Sequence, residues 1–141
     1  MYVKSLLRSE SVSDAMDGLL RELNFKNGLI PAVIAAGDGQ ILTLCYLDRE
    51  ALQKTMETGK VHVFRRSKGR VMLKGETSGH VQELKEVRID CEGSSLLMVV
   101  DQHVAACHKG YRTCFYRRYR RADDTLEECE KRVFDPSRVY G

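Results

Sequence analysis

Tryptophan is missing from this chain, proline occurs only twice in 141 residues, and no apolar run approaches the ~20 residues that a membrane span needs. The N-terminal stretch MYVKSLLRSES has no signal-peptide core. These absences set the expectation of a cytoplasmic protein with no membrane partner. Neither repeats nor low-complexity segments interrupt the sequence, so residues 1–141 read as one domain. At this length folding buries roughly two-thirds of the unfolded chain's surface, so no metal is needed merely to hold the chain together. Five cysteines, an odd number without an export signal, do not make a disulfide framework.

The net charge is only +3, but it is unevenly spread. Residues 65–121 hold 13 Lys and Arg against 6 Asp and Glu, and the rest of the chain is net acidic. The middle is suited to meeting anions.

Apolar periodicity predicts a helix over 13–24, N-capped by Ser13 and ended by Asn27-Gly28. A strand at 29–36, the Gly37-Asp38-Gly39 turn and a strand at 41–47 form a hairpin. Asp48 caps a helix, REALQKTMET, that Gly59 stops. Strands at 61–64 and 71–73 flank the turn RRSKGR, and 81–90 pairs with 95–101 through EGSS. TLEECEKRVF is a short helix or a last strand, and the tail DPSRVYG docks through Phe134 and Tyr140. The fold class is α+β: a β-rich, mostly antiparallel, hairpin-connected sheet with two or three helices.

Cys91, Cys107 and Cys114 stand at turns or strand ends beside polar residues, whereas Cys45 sits inside the apolar run LTLCYL as a core residue does. Spacings of 16 and 7 residues are not those of a zinc ribbon. Three thiolates around zinc would leave a fourth position open to water, the arrangement of catalytic rather than structural zinc. Anionic sulfurs lower the pKa of bound water less than neutral imidazoles do, so a general base would help, and His108 beside Cys107 is the first candidate. His62 and His80 border the basic segment and are further candidates, and His103 is as readily structural. In Asp90-Cys91-Glu92-Gly93-Ser94, strand alternation throws Asp90, Glu92 and Ser94 to one side and Cys91 to the other. That arrangement separates oxygen ligands for magnesium from a sulfur ligand for zinc; the bland alternative is a solvated acidic strand end.

RRSKGRVMLKGETSGHVQ (65–82) packs five cations around small residues and one carboxylate, Glu76. Backbone N–H groups at Gly75, Ser78 and Gly79 could cradle a phosphate, with Arg66 or Lys74 neutralising it. It lacks the P-loop pattern, and a solvated basic hairpin is the competing reading.

LCYLDREAL, SKGRVMLKGETSGHVQ, VRIDC, ACHKGYRTCFYRR and RVFDPSRVYG together resemble the phosphoribosyl-AMP cyclohydrolase family, over about residue 28 to the end. The resemblance implies a zinc-dependent, magnesium-assisted hydrolysis that opens the purine ring of phosphoribosyl-AMP between N1 and C6, in histidine biosynthesis. It implies zinc on Cys91, Cys107 and Cys114, in an intertwined homodimer whose zinc sites draw cysteines from both subunits. With the residue reading, it sets the nucleotide against Phe64, Arg66, Ser67, Lys74, Gly75, Glu76, Ser78, Gly79 and His80; His108 and His62 are the catalytic candidates from the residue reading alone. The chain departs from the family where magnesium binds: Asp90, Glu92 and Ser94 replace Asp-x-Asp-x-Asp, so Mg²⁺ is expected to bind weakly or not at all. Val63, Phe64 and Arg65 replace the family's Tyr-Trp-Ser. Two alternatives follow: a diverged paralogue acting on another purine nucleotide, and a basic module with structural zinc that binds nucleic acid through YRTCFYRRYRR. For that run a solvated strand is preferred, and no nucleic-acid partner is expected.

Overall fold

A computed structural model describes residues 16–141. Helix α1 is described over 16–21. It is followed by strands β1 (Ile30–Ala36) and β2 (Ile41–Leu47), helix α2 (Arg49–Thr58), strands β3 (His62–Arg65), β4 (Arg70–Leu73), β5 (Gln82–Ile89), β6 (Leu96–Gln102), β7 (Arg117–Arg120) and β8 (Thr125–Glu128), and helix α3 (Pro136–Tyr140). No helix among the described residues is long and apolar enough to cross a membrane.

The central sheet has the order β2-β1-β6-β5, and β3-β4 and β7-β8 form separate two-stranded sheets. All pairings are antiparallel except β1 with β6. The sheet is thus mostly antiparallel, as expected; the one parallel pair needs a long crossover, here the whole run from β2 to β5, which was not foreseen. Ile30, Ala32 and Ile34 of β1 alternate inward and are fully buried, as are Met98 and Val100 of β6. Leu42, Leu47, Leu52 and Val61 complete the core with them.

Helix α2 has the predicted ends. The Asp48 carboxylate accepts from the Ala51 N–H at 2.8 Å, and Gly59 adopts φ 76° while donating to Thr55 O at 2.9 Å. Such a cap contributes about 1 kcal/mol. The buried Thr55 hydroxyl donates to Ala51 O at 2.8 Å and accepts from His62 N–H at 2.8 Å, which fixes the start of β3 against the helix.

Helix α1 stops at residue 21 rather than 24, because Asn24 N–H leaves the helix to donate to Gly93 O at 2.8 Å; its expected N-cap, Ser13, lies outside the described residues. Asn27 (φ 53°) and Gly28 (φ 80°) form their own tight turn, closed by Lys26 and Leu29. Of the 125–134 segment, expected as a short helix or a last strand, Thr125–Glu128 forms strand β8 and the remainder is irregular.

Candidate active site

A cleft of about 1280 Å³ opens between β2, the β3–β4 hairpin, the 74–80 loop, the segment after β6 and the C-terminal tail. Phe64, Arg66, Ser67, Lys74, Gly75 and Glu76 line it, and so do Ser78, His80, His108 and Cys114. Most of the residues assigned from sequence to the nucleotide therefore meet in one place.

Each wall has a local cause. The 74–80 loop curls because Gly75 takes φ +90°, where a Cβ would sit 2.7 Å from the His80 carbonyl carbon. The Gly79 N–H closes the curl onto Gly75 O at 2.8 Å. Gly79 is thus a correction to the phosphate cradle: its amide is spent inside the loop, and it does not line the cleft. His80 N–H donates to the Ser78 hydroxyl at 3.1 Å, and the Lys74 ammonium donates to Ala106 O at 2.9 Å, joining this loop to the segment after β6.

That segment carries the sulfurs. Residues 107–110 form a turn in which Gly110 N–H donates to Cys107 O at 3.2 Å and Lys109 N–H donates to the Cys107 sulfur at 3.4 Å. Cys114 N–H donates to Leu42 O at 2.7 Å, and the buried Thr113 hydroxyl to Ile41 O at 2.7 Å. The loop is thereby stitched to β2, with the Cys107 and Cys114 thiols as neighbours. Burial pushes the Cys114 thiol up from its ordinary pKa, with the adjacent Cys107 adding to this; Thr43 and Lys74 act the other way. Cys45, expected in the core, is half-buried against it and also lines the cleft; burial pushes its thiol up to about 12, and the thiol points to Ala32 O at 3.8 Å.

Cys91 lies elsewhere. It sits in the turn before β6, while Cys107 follows the other end of that strand, so within one chain roughly 20 Å of strand separates them. Among the described residues no three His, Cys, Asp or Glu side chains gather as a metal cage. The donor chemistry of Cys107 and Cys114, two thiols with a backbone N–H turned to one sulfur, fits half of a zinc site.

The magnesium residues do not fit a divalent ion within one chain. One Asp90 oxygen accepts from Glu92 N–H at 3.2 Å and Ser94 N–H at 2.8 Å; the other accepts from the Ser94 hydroxyl at 3.0 Å and the Ser95 hydroxyl at 2.8 Å. A carboxylate has about four lone-pair positions, and the turn takes them all. The Ser95 hydroxyl and the Ser94 N–H hold the Asp90 pKa down at about 2.

The histidines separate. His80 packs edge-on against Phe134, ring centroids 4.8 Å apart, and burial followed by the Lys74 charge lowers its pKa below the ordinary imidazole value. His108 is exposed on the rim. His62 lies outside the cleft, its ring turned to Lys60 O at 2.9 Å and its backbone tied to Thr55. His103 faces Glu83 at 3.2 Å, away from the cleft. Sequence reasoning missed Thr43, Tyr46, Lys109, Arg132 and Tyr140, which also line the cleft. The docked-tail expectation carried a signal for Tyr140, while Arg132 falls in the preceding segment TLEECEKRVF.

A family model described as phosphoribosyl-AMP cyclohydrolase matches residues 43–116. The chain is 43% identical over 125 residues to a phosphoribosyl-AMP cyclohydrolase of Methanothermobacter thermautotrophicus, covering 84% of this chain and 91% of that one. It is 47% identical over 115 residues to a protein of the same name from Pelotomaculum thermopropionicum, covering 81% and 88%. A histidine biosynthesis bifunctional protein HisIE of Pyrococcus furiosus is 45% identical over 105 residues, and the match covers 73% of this chain and 50% of that longer one. With the family match running from β2 through Cys107 and Cys114, the chain belongs to the phosphoribosyl-AMP cyclohydrolase family and is a hydrolase.

Proposed function

We propose that this chain hydrolyses phosphoribosyl-AMP in the histidine biosynthesis of the cytoplasm, as a homodimer whose zinc sites each combine Cys107 and Cys114 of one copy with Cys91 of the other. One observation carries this: the Cys114 thiol lines a cationic cleft with the buried Cys107 thiol beside it, and the third family cysteine is at the far end of β6, where only a second chain could bring it to them. The dimer also has an apolar face available. Leu44, Val33 and Leu97 stand side by side across β2, β1 and β6, and Leu44 is 48% exposed.

In the reaction a water oxygen adds to C6 of the purine, the N1–C6 bond breaks, and the proton lost by water returns to N1. Zinc held by such a thiolate set supplies the Lewis acidity that makes water a nucleophile near neutral pH. His80, neutral at pH 7 because burial and Lys74 disfavour its charge, accepts the proton, with His108 at the rim as the alternative acceptor. Phe64 and Tyr46 offer aromatic faces to the purine, and the cleft's cations take the phosphates. Magnesium is given no place at Asp90 and Glu92, because the turn already occupies the Asp90 oxygens.

The experiment is turnover of phosphoribosyl-AMP, followed by the absorbance change on ring opening, alongside zinc content. Turnover with one zinc per chain, both lost in Cys107→Ser with the fold retained, is the expected result. Absence of wild-type turnover in zinc-loaded protein refutes the reading.

A further inference from the structure

Some arginines away from the cleft hold carboxylates, as Arg88 does Glu86, Arg112 Asp38 and Arg118 Glu127, while Arg49 and Arg117 lie over the Phe25 and Tyr116 rings. Two arginines are held over aromatic rings and also line the cleft. Arg66, on the β3–β4 turn, lies over the Tyr46 ring at 4.3 Å, and Arg132, just before α3, lies over the Tyr111 ring at 5.7 Å. Neither forms an ion pair among the described residues. Aromatic stacking orients a planar guanidinium while leaving its N–H edge free, the arrangement suited to bidentate phosphate binding.

The Arg132 side is the more firmly built. Tyr111 is 5% exposed, stacks on Tyr116 with centroids 3.8 Å apart, and donates its hydroxyl to Glu128 at 3.1 Å. Val133 N–H donates to Gly110 O at 2.7 Å, and a Cβ on Gly110 would lie 3.1 Å from the Arg132 stem. Arg132 is therefore set beside the turn that carries Lys109, on different elements from Arg65 and Arg66.

We infer that the cleft contains two separate anion subsites, Arg66 with Arg65 and Arg132 with Lys109, and that the substrate is gripped by one phosphate at each. The C-terminal segment from Arg132 onward is then part of the substrate-binding wall. The inference rests on the proposed reaction for its substrate, since phosphoribosyl-AMP bears a phosphate on each ribose.

The test uses the zinc-loaded dimer with Arg66→Met and Arg132→Met, which keep the stem over its tyrosine and remove the charge, and Arg132→Lys, which restores it. Loss of a charge-assisted phosphate contact corresponds to about 10- to 100-fold in affinity. Each Met variant should raise KM by that order with kcat and zinc content close to wild type, and Arg132→Lys should recover part of the loss. AMP, with one phosphate, is the second probe: by calorimetry its binding should weaken in one Met variant and not in the other. An unchanged KM in Arg132→Met overturns the inference, as does a fall in kcat or zinc content at constant KM, or equal weakening of AMP by both variants. Absence of wild-type turnover would instead overturn the reaction, while AMP calorimetry still reads the two subsites.

Discussion

Replacing Val104 with glycine should stabilise the protein. Val104 holds φ +54°, a left-handed conformation that a β-branched residue rarely adopts, and is 52% exposed just ahead of the segment carrying Ala106 and Cys107. Relief of that backbone strain is of the order of 2 kcal/mol. The extra freedom of glycine in the unfolded chain offsets about 0.7 kcal/mol, and the half-buried side chain about 0.5 kcal/mol more. The net is a gain of roughly 0.5 to 1 kcal/mol, or about 2 to 4 °C in Tm for a chain of this size. Thermal unfolding of zinc-loaded protein at fixed concentration reads it, since bound metal and association also move Tm. Val104→Ala is the control: it removes the β-branch but keeps a Cβ, and should fall between wild type and glycine. A Tm for Val104→Gly equal to or below wild type refutes the strain argument.

Gly110→Ala should act in the opposite direction, because its Cβ would lie 2.7 Å from Phe134 O at φ +103°; a loss of about 2 kcal/mol or more in urea unfolding is expected. His80, with its pKa lowered by burial first and Lys74 next, keeps its basic form below pH 6.5, so the acid limb of kcat/KM should fall below the ordinary imidazole value and disappear in His80→Gln. Asp90 titrates at about 2 in the fold against 3.8 unperturbed, so its carboxylate stabilises the fold above pH 3.8, and that contribution is lost as pH falls toward 2. The Tm deficit of Asp90→Asn should accordingly be full near pH 7 and shrink between those limits.

What the sequence made legible was local. Asp48 and Gly59 bound α2 because capping involves only neighbouring backbone groups, and the hairpins follow from turns between alternating strands. The parallel β1–β6 pair was not legible, since it joins segments sixty residues apart through a crossover that no local signal encodes. In the candidate site, KGETSGH suggested a cradle of backbone N–H groups, but whether Gly79 N–H faced a ligand or its own loop depended on a backbone bond that composition cannot reveal. His62 and His80 both border basic residues; only the tie of His62 to Thr55 and the packing of His80 on Phe134 tell them apart. Arg132 joins the cleft because Gly110 allows the tail to lie against its backbone, a contact between distant segments. The relation of Cys91 to the other cysteines likewise turns on strand direction, which the spacing of 16 residues does not give.

Complementation between two inactive variants tests the shared zinc site most directly. Cys91→Ser and Cys107→Ser homodimers should each lack zinc and turnover, but a mixed dimer has one site with both defects and one with neither. Random reassortment should therefore restore about a quarter of wild-type activity and zinc, through exchange of copies in a two-fold dimer. Two folded variants that stay inactive and zinc-free after verified subunit exchange would contradict the account, as would a Cys91→Ser homodimer with full zinc and full turnover.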